Sequence, residues 1–312
     1  MRCRTCGATA VINMRAHKLS LCAAHFQAWC VKQTSRSIHK YRMFTPDERV
    51  LVAVSGGKDS LALWHILLQL GYQADGLYID LGIDGGFDYS RRSREYVQVF
   101  HAQHPETRLH IINIPGLYGE SVSGAARHKK RESRVCAVCG LIKRHEMNRI
   151  ALQENYHVLA TGHNLDDETA VLFGNVLHWQ VGYLQRQHPV LPADDNGLSR
   201  KVKPLCRLYE RETAAFAITS GIDYIVEECP YAQGATSIAH KETLTRMEHH
   251  APGTKMHFYT KFLQAKSEGL ICSSPDEKPT LQACPVCGQP TSAEGLCAFC
   301  RLWETEPAAE RE

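Results

Sequence analysis

The segment Arg-Val-Leu-Val-Ala-Val-Ser-Gly-Gly-Lys-Asp-Ser, residues 49–60, decides the fold class of this 312-residue chain. The mostly apolar run at 49–54 predicts a buried strand, and the apolar spacing of residues 60–70 predicts the helix that follows it. Between these elements, Gly56 and Gly57 let backbone N–H groups approach an anion at the N-terminus of the helix, where the helix dipole favours negative charge. The turn therefore predicts a phosphate-binding loop, and a glycine-rich turn without a ligand is the alternative.

The spacing of this loop differs from that of two common phosphate-binding motifs. It lacks the Gly-x4-Gly-Lys-Ser/Thr pattern of kinase-type P-loops and the Gly-x-Gly-x2-Gly pattern of dinucleotide-binding turns. Outward from the loop, strand and helix signals alternate, which predicts an α/β fold with a parallel sheet and helices on both faces. Residues 178–207 contain three prolines and predict a loop at the rim of an active site. Further strands are predicted at residues 74–80, 109–114 and 157–161, and helices at 91–103, 141–154, 166–177, 209–220 and 237–265.

Composition and charge are typical of a globular chain. A hydrophobic fraction of 44% and a charged fraction of 22% argue against a disordered or fibrous protein, and the net charge of +3 neither demands nor excludes a polyanionic partner. No apolar run approaches the roughly 18 residues that a membrane-spanning helix needs, and the first six residues contain no apolar signal region. We therefore expect a cytoplasmic protein with no membrane partner.

Thirteen cysteines indicate metal or redox chemistry, because a cytoplasmic chain rarely carries structural disulfides. Eight side chains form two sets with the spacings Cys-x2-Cys-x15-Cys-x2-His and Cys-x2-Cys-x9-Cys-x2-Cys, each sufficient to complete a tetrahedral zinc site. With no vacant ligand position, these sites are expected to be structural. They predict an N-terminal zinc finger at 1–30, a central domain at 31–272 and a C-terminal zinc finger at 273–312. The two sets are Cys3, Cys6, Cys22 and His25, and Cys284, Cys287, Cys297 and Cys300.

Three further cysteines, Cys136, Cys139 and Cys229, lie in the central domain. Three thiolates on a [4Fe-4S] cluster would leave one iron open to exogenous sulfide. The Cys136/Cys139 pair could instead carry a persulfide or form half of a zinc site, and spacing does not separate these three alternatives. Lys143 follows Cys139 by one helical turn, so both side chains are expected to point into one pocket if a helix begins at Cys139. An exposed lysine on a solvated helix is the alternative.

The segment Thr-Gly-His-Asn-Leu-Asp-Asp-Glu, residues 161–168, follows the fourth predicted strand and opens a helix. Gly162 permits the close approach of a ligand. Asp166 and Asp167 lie in the first turn, where acidic side chains complement the helix dipole. A capped helix start is therefore the alternative to a second binding element.

The sequence Ser-Gly-Gly-x-Asp-Ser at residues 55–60 resembles the signature of the PP-loop ATP pyrophosphatases, a Rossmann-like group of adenine nucleotide alpha hydrolases. With both zinc modules, residues 161–168 and the three internal cysteines, essentially the whole chain resembles the TtcA/TtuA family of tRNA 2-thiolation enzymes. The resemblance implies adenylation of uridine O2 by ATP and magnesium, followed by sulfur transfer, at ribothymidine 54 of tRNA. It also implies two zinc ions, a [4Fe-4S] cluster, a ubiquitin-like thiocarboxylate sulfur carrier as partner, and a homodimer.

Other functions remain open on the sequence alone. The target could be wobble uridine 34, which the same motifs would serve. A PP-loop enzyme that modifies tRNA without thiolation would need no trio of reactive cysteines. A zinc-stabilised RNA-binding protein without catalysis would need neither glycine of the loop nor Asp59.

The resemblance also assigns roles to individual positions of this chain. An acidic residue at the position of Asp59 helps to hold magnesium and nucleotide, and Asp167 lies by the reacting centre. The implied catalytic residues, of which the cysteines would also bind the iron–sulfur cluster, are Asp59, Lys143, Asp167, Cys136, Cys139 and Cys229. The implied nucleotide-binding residues are Ala53, Ser55, Gly56, Gly57, Lys58, Asp59, Ser60, Ile79, Lys143 and Gly162.

Overall fold

The computed structural model describes residues 1–128, 135–194, 197–232, 236–271 and 281–303. In these residues a six-stranded sheet is accompanied by two separate two-stranded hairpins, one near each end of the chain. The strands are β1 (Ile12–Met14), β2 (Leu19–Leu21), β3 (Val50–Val54), β4 (Ala74–Asp80), β5 (Leu109–Asn113), β6 (Val158–Thr161), β7 (Val190–Leu191), β8 (Arg200–Val202), β9 (Gln282–Ala283) and β10 (Pro290–Thr291).

Helices alternate with the strands along most of the described chain. None of these helices combines the length and the apolar character needed to cross a membrane. They are α1 (Ala23–Lys40), α2 (Lys58–Gln69), α3 (Tyr89–Ala102), α4 (Ile114–Tyr118), α5 (Val122–His128), α6 (Val135–Gln153), α7 (Leu165–Leu177), α8 (Val181–Arg186), α9 (Glu210–Thr219), α10 (Thr236–His250), α11 (Thr254–Ser267) and α12 (Cys300–Trp303).

The central sheet has the strand order β5-β4-β3-β6-β8-β7, and every neighbouring pair except β7 with β8 is parallel. This confirms the predicted parallel α/β sheet. The chain runs outward from β3 to β4 and β5, then returns to place β6 on the other side of β3. Ligands in such sheets bind where the strand order reverses, at the carboxyl ends of the strands. The ends of β3 and β6 carry the phosphate loop and the 161–168 segment, so both predicted motifs meet at this point.

The alternation of side chains along β3 explains why helices cover both faces of the sheet. Val50 and Val52 are fully buried in a core that also contains Trp64 of α2. Leu51 points to the opposite face, where it packs with Ile150 of α6. Because consecutive residues of a strand face opposite sides, a run of apolar residues requires a cover on both faces.

Two stretches differ from the elements predicted for them. Residues 178–207 were expected to form a loop, but they contain α8, β7 and β8, and β8 extends the parallel sheet beside β6. The sequence of β8 is Arg-Lys-Val, which has no apolar run. A three-residue strand next to the edge of a sheet needs few buried side chains. The helical region expected at 237–265 is divided into α10 and α11 at Gly253, which has a φ of +101°.

The N-terminal module is continuous with the central domain. Helix α1 begins inside this module and continues to Lys40, so the predicted boundary at residue 30 falls within the helix. Phe26 and Cys30 of α1 belong to the same buried core as β3. At the other end, residues 272–280 lie outside the described residues, and so does the predicted boundary at 272/273.

The C-terminal module packs on a different part of the chain. Cys284, Cys297 and Phe299 share a second buried core with Val138 and Ile142 of α6. This helix begins at Val135, earlier than the predicted start at 141, and therefore includes the Cys-x2-Cys pair.

Candidate active site

The phosphate loop has the backbone geometry that an anion requires. Gly56 has a left-handed φ of +77°, and a Cβ atom at this position would overlap the Ser93 carbonyl group. Gly57 is the N-cap of α2, and no side chain caps this helix. The Ser60 hydroxyl accepts a hydrogen bond from the Ser55 amide and donates one to the Gly57 carbonyl, each at 3.0 Å. The first-turn N–H groups of α2 are therefore left for an anionic ligand.

Asp59 links the phosphate loop to two other helices. Its Oδ1 accepts hydrogen bonds from Asn164 Nδ2 at 3.1 Å and from the Thr213 hydroxyl. Its Oδ2 lies 3.0 Å from Lys58 Nζ. Burial raises the pKa of Asp59, while Lys58 and the Thr213 hydroxyl act in the opposite direction. The carboxylate therefore positions α7 and α9 on the loop, in addition to any contact with magnesium.

The N-terminus of α7 is capped by side chains of its own first residues. Asn164 Oδ1 accepts hydrogen bonds from the amides of Asp166 and Asp167 at 2.9 and 3.1 Å, and Asp167 Oδ2 accepts one from the Asn164 amide at 3.0 Å. This capping box satisfies donors that would otherwise bind an anion. Helix α7 therefore has the capped start given above as the alternative to a binding element, yet Asp167 also faces the cavity described below.

Gly162 brings β6 into direct contact with the phosphate loop. A Cβ atom at Gly162 would lie only 2.9 Å from the carbonyl carbon of Asp59 and from the amide nitrogen of Ser60. Because these neighbours are backbone atoms, they could not move aside. Glycine is required here for packing of the two motifs against each other.

One cavity of about 430 Å³ connects the phosphate loop with two of the internal cysteines. The predicted residues Gly56, Gly57, Lys58 and Cys136 do not line it. The cavity lies beside the ends of β3, β4 and β6. The predicted site residues that line it are Ala53, Ser55, Asp59, Ser60, Ile79, Cys139, Lys143, Gly162, Asp167 and Cys229.

The cysteine end of this cavity is formed by the first turns of α6 and by Cys229. Burial raises the pKa of the Cys139 thiol, and nearby Lys143 acts in the opposite direction. The Cys136 side chain is exposed, and its Sγ donates a hydrogen bond to the Tyr231 carbonyl at 3.1 Å. Lys143 and Cys139 line the same cavity, as the one-turn spacing predicts.

The three internal sulfurs are not packed as a single-metal site. Among the described residues, only the two terminal sets bring all their ligand atoms within 4.8 Å of one another. In an iron–sulfur cluster each cysteine binds a different iron, which separates the thiolates more widely than around one zinc ion. The donor set and the adjoining cavity therefore fit a cluster with three protein ligands better than a zinc ion.

The N-terminal set has the geometry of one tetrahedral metal ion. Cys6 and Cys22 Sγ are 3.8 Å apart, and His25 Nδ1 lies 3.2 Å from Cys22 Sγ and 3.7 Å from Cys3 Sγ. Zinc–sulfur bonds of about 2.3 Å in a tetrahedron require sulfur–sulfur separations of about 3.8 Å. These four side chains can therefore bind one zinc ion.

The C-terminal set repeats this geometry with four sulfurs. Cys284 and Cys300 Sγ are 3.8 Å apart, and Cys287 and Cys297 Sγ are 3.7 Å apart. The Cys284 thiol also accepts a hydrogen bond from the Cys297 amide at 3.3 Å. The set fits a second structural zinc ion.

Four residues at the site were not found from the sequence: Asn164, Thr213, Glu210 and Lys241. Asn164 had a recognisable signal, because it stands three residues before Asp167 in a capping-box pattern. Thr213 and Glu210 lie in the first turn of α9, where polar residues are common in any helix. Lys241 belongs to no motif, and only the packing of α10 against α7 brings it to the site.

Comparison with known proteins agrees with these features. Residues 2–27 match the family described as "2-thiouridine synthetase TtuA, N-terminal LIM domain". The chain is 47% identical to the tRNA-5-methyluridine(54) 2-sulfurtransferase of Thermus thermophilus, over 97% of this chain and 91% of the relative. It is 39% identical to the enzyme of the same name from Pyrococcus horikoshii, over 97% and 94%.

A solved structure shares the overall fold. The tRNA thiolase NcsA of Methanococcus maripaludis, which acts at uridine 34 and was solved with its [4Fe-4S] cluster, superimposes with a TM-score of 0.74 over 97% of this chain and 95% of its own. The sequence identity of 20% limits this comparison to the fold. Since both named relatives match over nearly their whole length, the chain belongs to the TtuA-type family of tRNA-5-methyluridine(54) 2-sulfurtransferases.

Proposed function

We propose that this chain is a tRNA 2-thiouridine synthetase that uses ATP to replace O2 of 5-methyluridine 54 with sulfur. The observation that carries the proposal is the single cavity that reaches from the phosphate loop to Cys139 and Cys229. A thiolation enzyme must activate the oxygen and deliver sulfur to the same carbon. One cavity with both kinds of side chain meets this requirement.

The phosphate end of the cavity suits ATP. Ser55 and Ser60 line it beside the uncapped N-terminus of α2, and Lys58 stands in the first turn of that helix. Ala53 and Ile79 provide an apolar wall for the adenine ring. Adenylation of O2 releases pyrophosphate and converts a poor oxygen leaving group into AMP. Asp59 carries the one carboxylate of residues 55–60 and would hold magnesium.

The sulfur end suits three-cysteine ligation. Cys136, Cys139 and Cys229 would hold a [4Fe-4S] cluster, which when bound supplies an iron with an open position for sulfide. Lys143 lines the cavity one turn after Cys139 and can compensate the negative charge of the adenylate. Asp167 lines the same cavity, and its carboxylate can accept or return a proton.

The remaining parts of the proposal follow from family membership. They are a zinc ion in each terminal module, a tRNA substrate, a ubiquitin-like thiocarboxylate sulfur carrier, a homodimer, and a cytoplasmic location. The two four-ligand sets support the zinc assignment, because their atoms are already at tetrahedral separations. Thiolation of wobble uridine 34 is the alternative target; NcsA, a thiolase that acts there, shares the overall fold of this chain.

Thiolation of defined tRNAs tests the proposal. The full chain is purified without oxygen and reconstituted with iron and sulfide. It is then incubated with magnesium, ATP, free sulfide as the sulfur donor and a tRNA that has 5-methyluridine only at position 54. We expect a 2-thio product at this position. Cys139→Ala and Cys229→Ala are each expected to abolish the product while ATP binding persists, because neither residue belongs to the phosphate loop.

Cys206→Ala serves as the matched control, because this buried thiol does not line the cavity and its loss should leave thiolation intact. Retained thiolation in either cavity variant would contradict the cluster assignment. Sulfur found at position 34 rather than 54 would establish the alternative target.

A further inference from the structure

Two lysines beside the phosphate loop share one carboxylate. Glu210 Oε1 lies 2.9 Å from Lys58 Nζ, and Glu210 Oε2 lies 3.0 Å from Lys241 Nζ. The three residues come from α2, α9 and α10. Each carboxylate oxygen of Glu210 is therefore paired with one ammonium group.

The same lysines also contact the two acidic residues of the site. Lys58 Nζ lies 3.0 Å from Asp59 Oδ2, and Lys241 Nζ lies 2.6 Å from Asp167 Oδ1. The result is a chain of alternating charges in the order Asp59, Lys58, Glu210, Lys241, Asp167. Each of these side chains is between 24% and 35% exposed, so a ligand from solvent can reach the chain of charges.

The neighbouring charges of these five side chains stabilise one another. Burial acts to raise the pKa of Glu210, but Lys58 and Lys241 outweigh it and hold that pKa below its ordinary value. Burial acts to lower the pKa of Lys241, but Asp167 and Glu210 outweigh it and raise that pKa. At neutral pH the Glu210 carboxylate thus lies between two ammonium groups. It is next to the N-terminus of α2, which no side chain caps.

We propose that Lys241 is a second triphosphate-binding residue, and that Glu210 occupies the position between Lys58 and Lys241 which a phosphate group of ATP takes when nucleotide binds. A carboxylate and a phosphate group both present a pair of anionic oxygens to ammonium donors. The inference rests on the proposed function only in requiring that the chain bind ATP.

The local structure allows the Glu210 side chain to move away from Lys58 and Lys241 without unfolding α9. The Glu210 amide donates a hydrogen bond to Asp166 Oδ2 at 2.9 Å, which fixes the backbone at the start of the helix. The side chain itself is the most exposed member of the chain of charges. Rotation of this side chain toward solvent would free both ammonium groups at once.

A purely structural network would behave differently. If the ion pairs only join α9 and α10 to the loop, loss of either Lys241 or Glu210 should affect ATP binding in the same direction. If Glu210 competes with phosphate, the two losses should have opposite effects. The sign of the change in ATP affinity therefore separates the two roles.

The experiment measures the binding of ATP and of adenosine to the full chain by calorimetry, with fixed magnesium and low salt. Lys241→Gln is expected to weaken ATP binding about tenfold, because a charge-assisted contact to phosphate is lost. Glu210→Gln is expected to strengthen ATP binding about threefold, because the competing charge is removed. Adenosine lacks phosphate, so its affinity should be unchanged in both variants, which also shows that they are folded.

Lys261→Gln is the matched control for loss of one positive charge. Lys261 lies on α11, donates a hydrogen bond to Gln264 at 2.9 Å and forms no ion pair with the described residues. An ATP affinity of Lys241→Gln equal to that of the wild type would overturn the inference, and so would weaker ATP binding by Glu210→Gln. Failure of the wild-type chain to bind ATP would instead contradict the proposed function.

Discussion

The two terminal modules have the same ligand chemistry but different attachments. Each consists of a two-stranded hairpin, four ligands at tetrahedral separations and a following helix. The N-terminal module joins the main core and contacts α9, where His17 Nε2 lies 3.0 Å from Glu212 Oε1. The C-terminal module packs on α6, where the Phe299 ring stacks on His145 with a centroid separation of 3.5 Å.

The two terminal modules therefore contact different helices of the site. Helix α9 carries Glu210 and Thr213, which contact the phosphate loop. Helix α6 carries Cys136, Cys139 and Lys143. Metal binding in the N-terminal module should therefore support the nucleotide end, and metal binding in the C-terminal module should support the sulfur end.

Removal of one zinc ligand from each module gives the strongest test of this comparison. Cys297→Ser should release one zinc ion and reduce thiolation by about a hundredfold, because zinc contributes most of the folding free energy of such small modules. ATP affinity should stay within about threefold of wild type, since the side-chain contacts of the phosphate loop reach α7 and α9 and, among the described residues, none reaches this module. Cys22→Ser should release the other zinc ion and weaken ATP binding as well.

The measurements are the zinc content, the rate of tRNA thiolation and an ATP titration on the same preparations. Parallel loss of ATP binding and thiolation in Cys297→Ser, with native far-ultraviolet circular dichroism, would show that the two ends are not supported separately.

Replacement of the buried carboxylate on α6 should have a smaller effect with a defined pH dependence. Glu146 is fully buried and accepts hydrogen bonds from Tyr118, His145 and Arg149. Burial acts to raise the pKa of Glu146, but His145 and Arg149 outweigh it and hold that pKa below its ordinary value near 4.5. Glu146→Gln should lower the free energy of unfolding by about 1–3 kcal/mol at neutral pH.

The sign of the pH effect follows from the lowered pKa. The Glu146 contribution is present above the unfolded pKa and is lost as the pH falls through the folded pKa. The difference between wild type and Glu146→Gln in urea unfolding should therefore be constant from pH 7 to 5 and shrink below about pH 4.5. A difference that already disappears between pH 7 and 6 would assign the stability to a group other than Glu146.

Loss of the contact between the N-terminal module and α9 should be the mildest change. His17→Ala removes the partner of Glu212 Oε1, while Oε2 keeps its hydrogen bond from the Tyr209 amide, and should lower the free energy of unfolding by about 1 kcal/mol. ATP affinity should fall about twofold, because α9 keeps its contacts with the phosphate loop through Glu210 and Thr213. Urea unfolding and calorimetry check both values, and an effect on thiolation larger than on ATP binding would contradict the assignment of this module to the nucleotide end.

Several elements could be predicted because their signals are local. The strand at 50–54, its loop and the two metal-ligand sets depend on residues that are close together in the chain. The one-turn spacing from Cys139 to Lys143 likewise predicts a shared pocket if both lie on one helix, and both residues line one cavity. The short strand β8 was missed because three residues, two of them basic, carry no periodic pattern.

The sequence by itself determined the parallel sheet, the glycine-rich loop between β3 and α2, and the ligands of two metal sites, because spacing along the chain specifies each of them. Only the tertiary structure decided that Lys58 meets Glu210, 152 positions away, and that Lys241 reaches Asp167. It also decided which helix each terminal module contacts. Contacts between distant residues depend on how whole helices pack, and helix packing is set by the shape of buried surfaces that no short motif records.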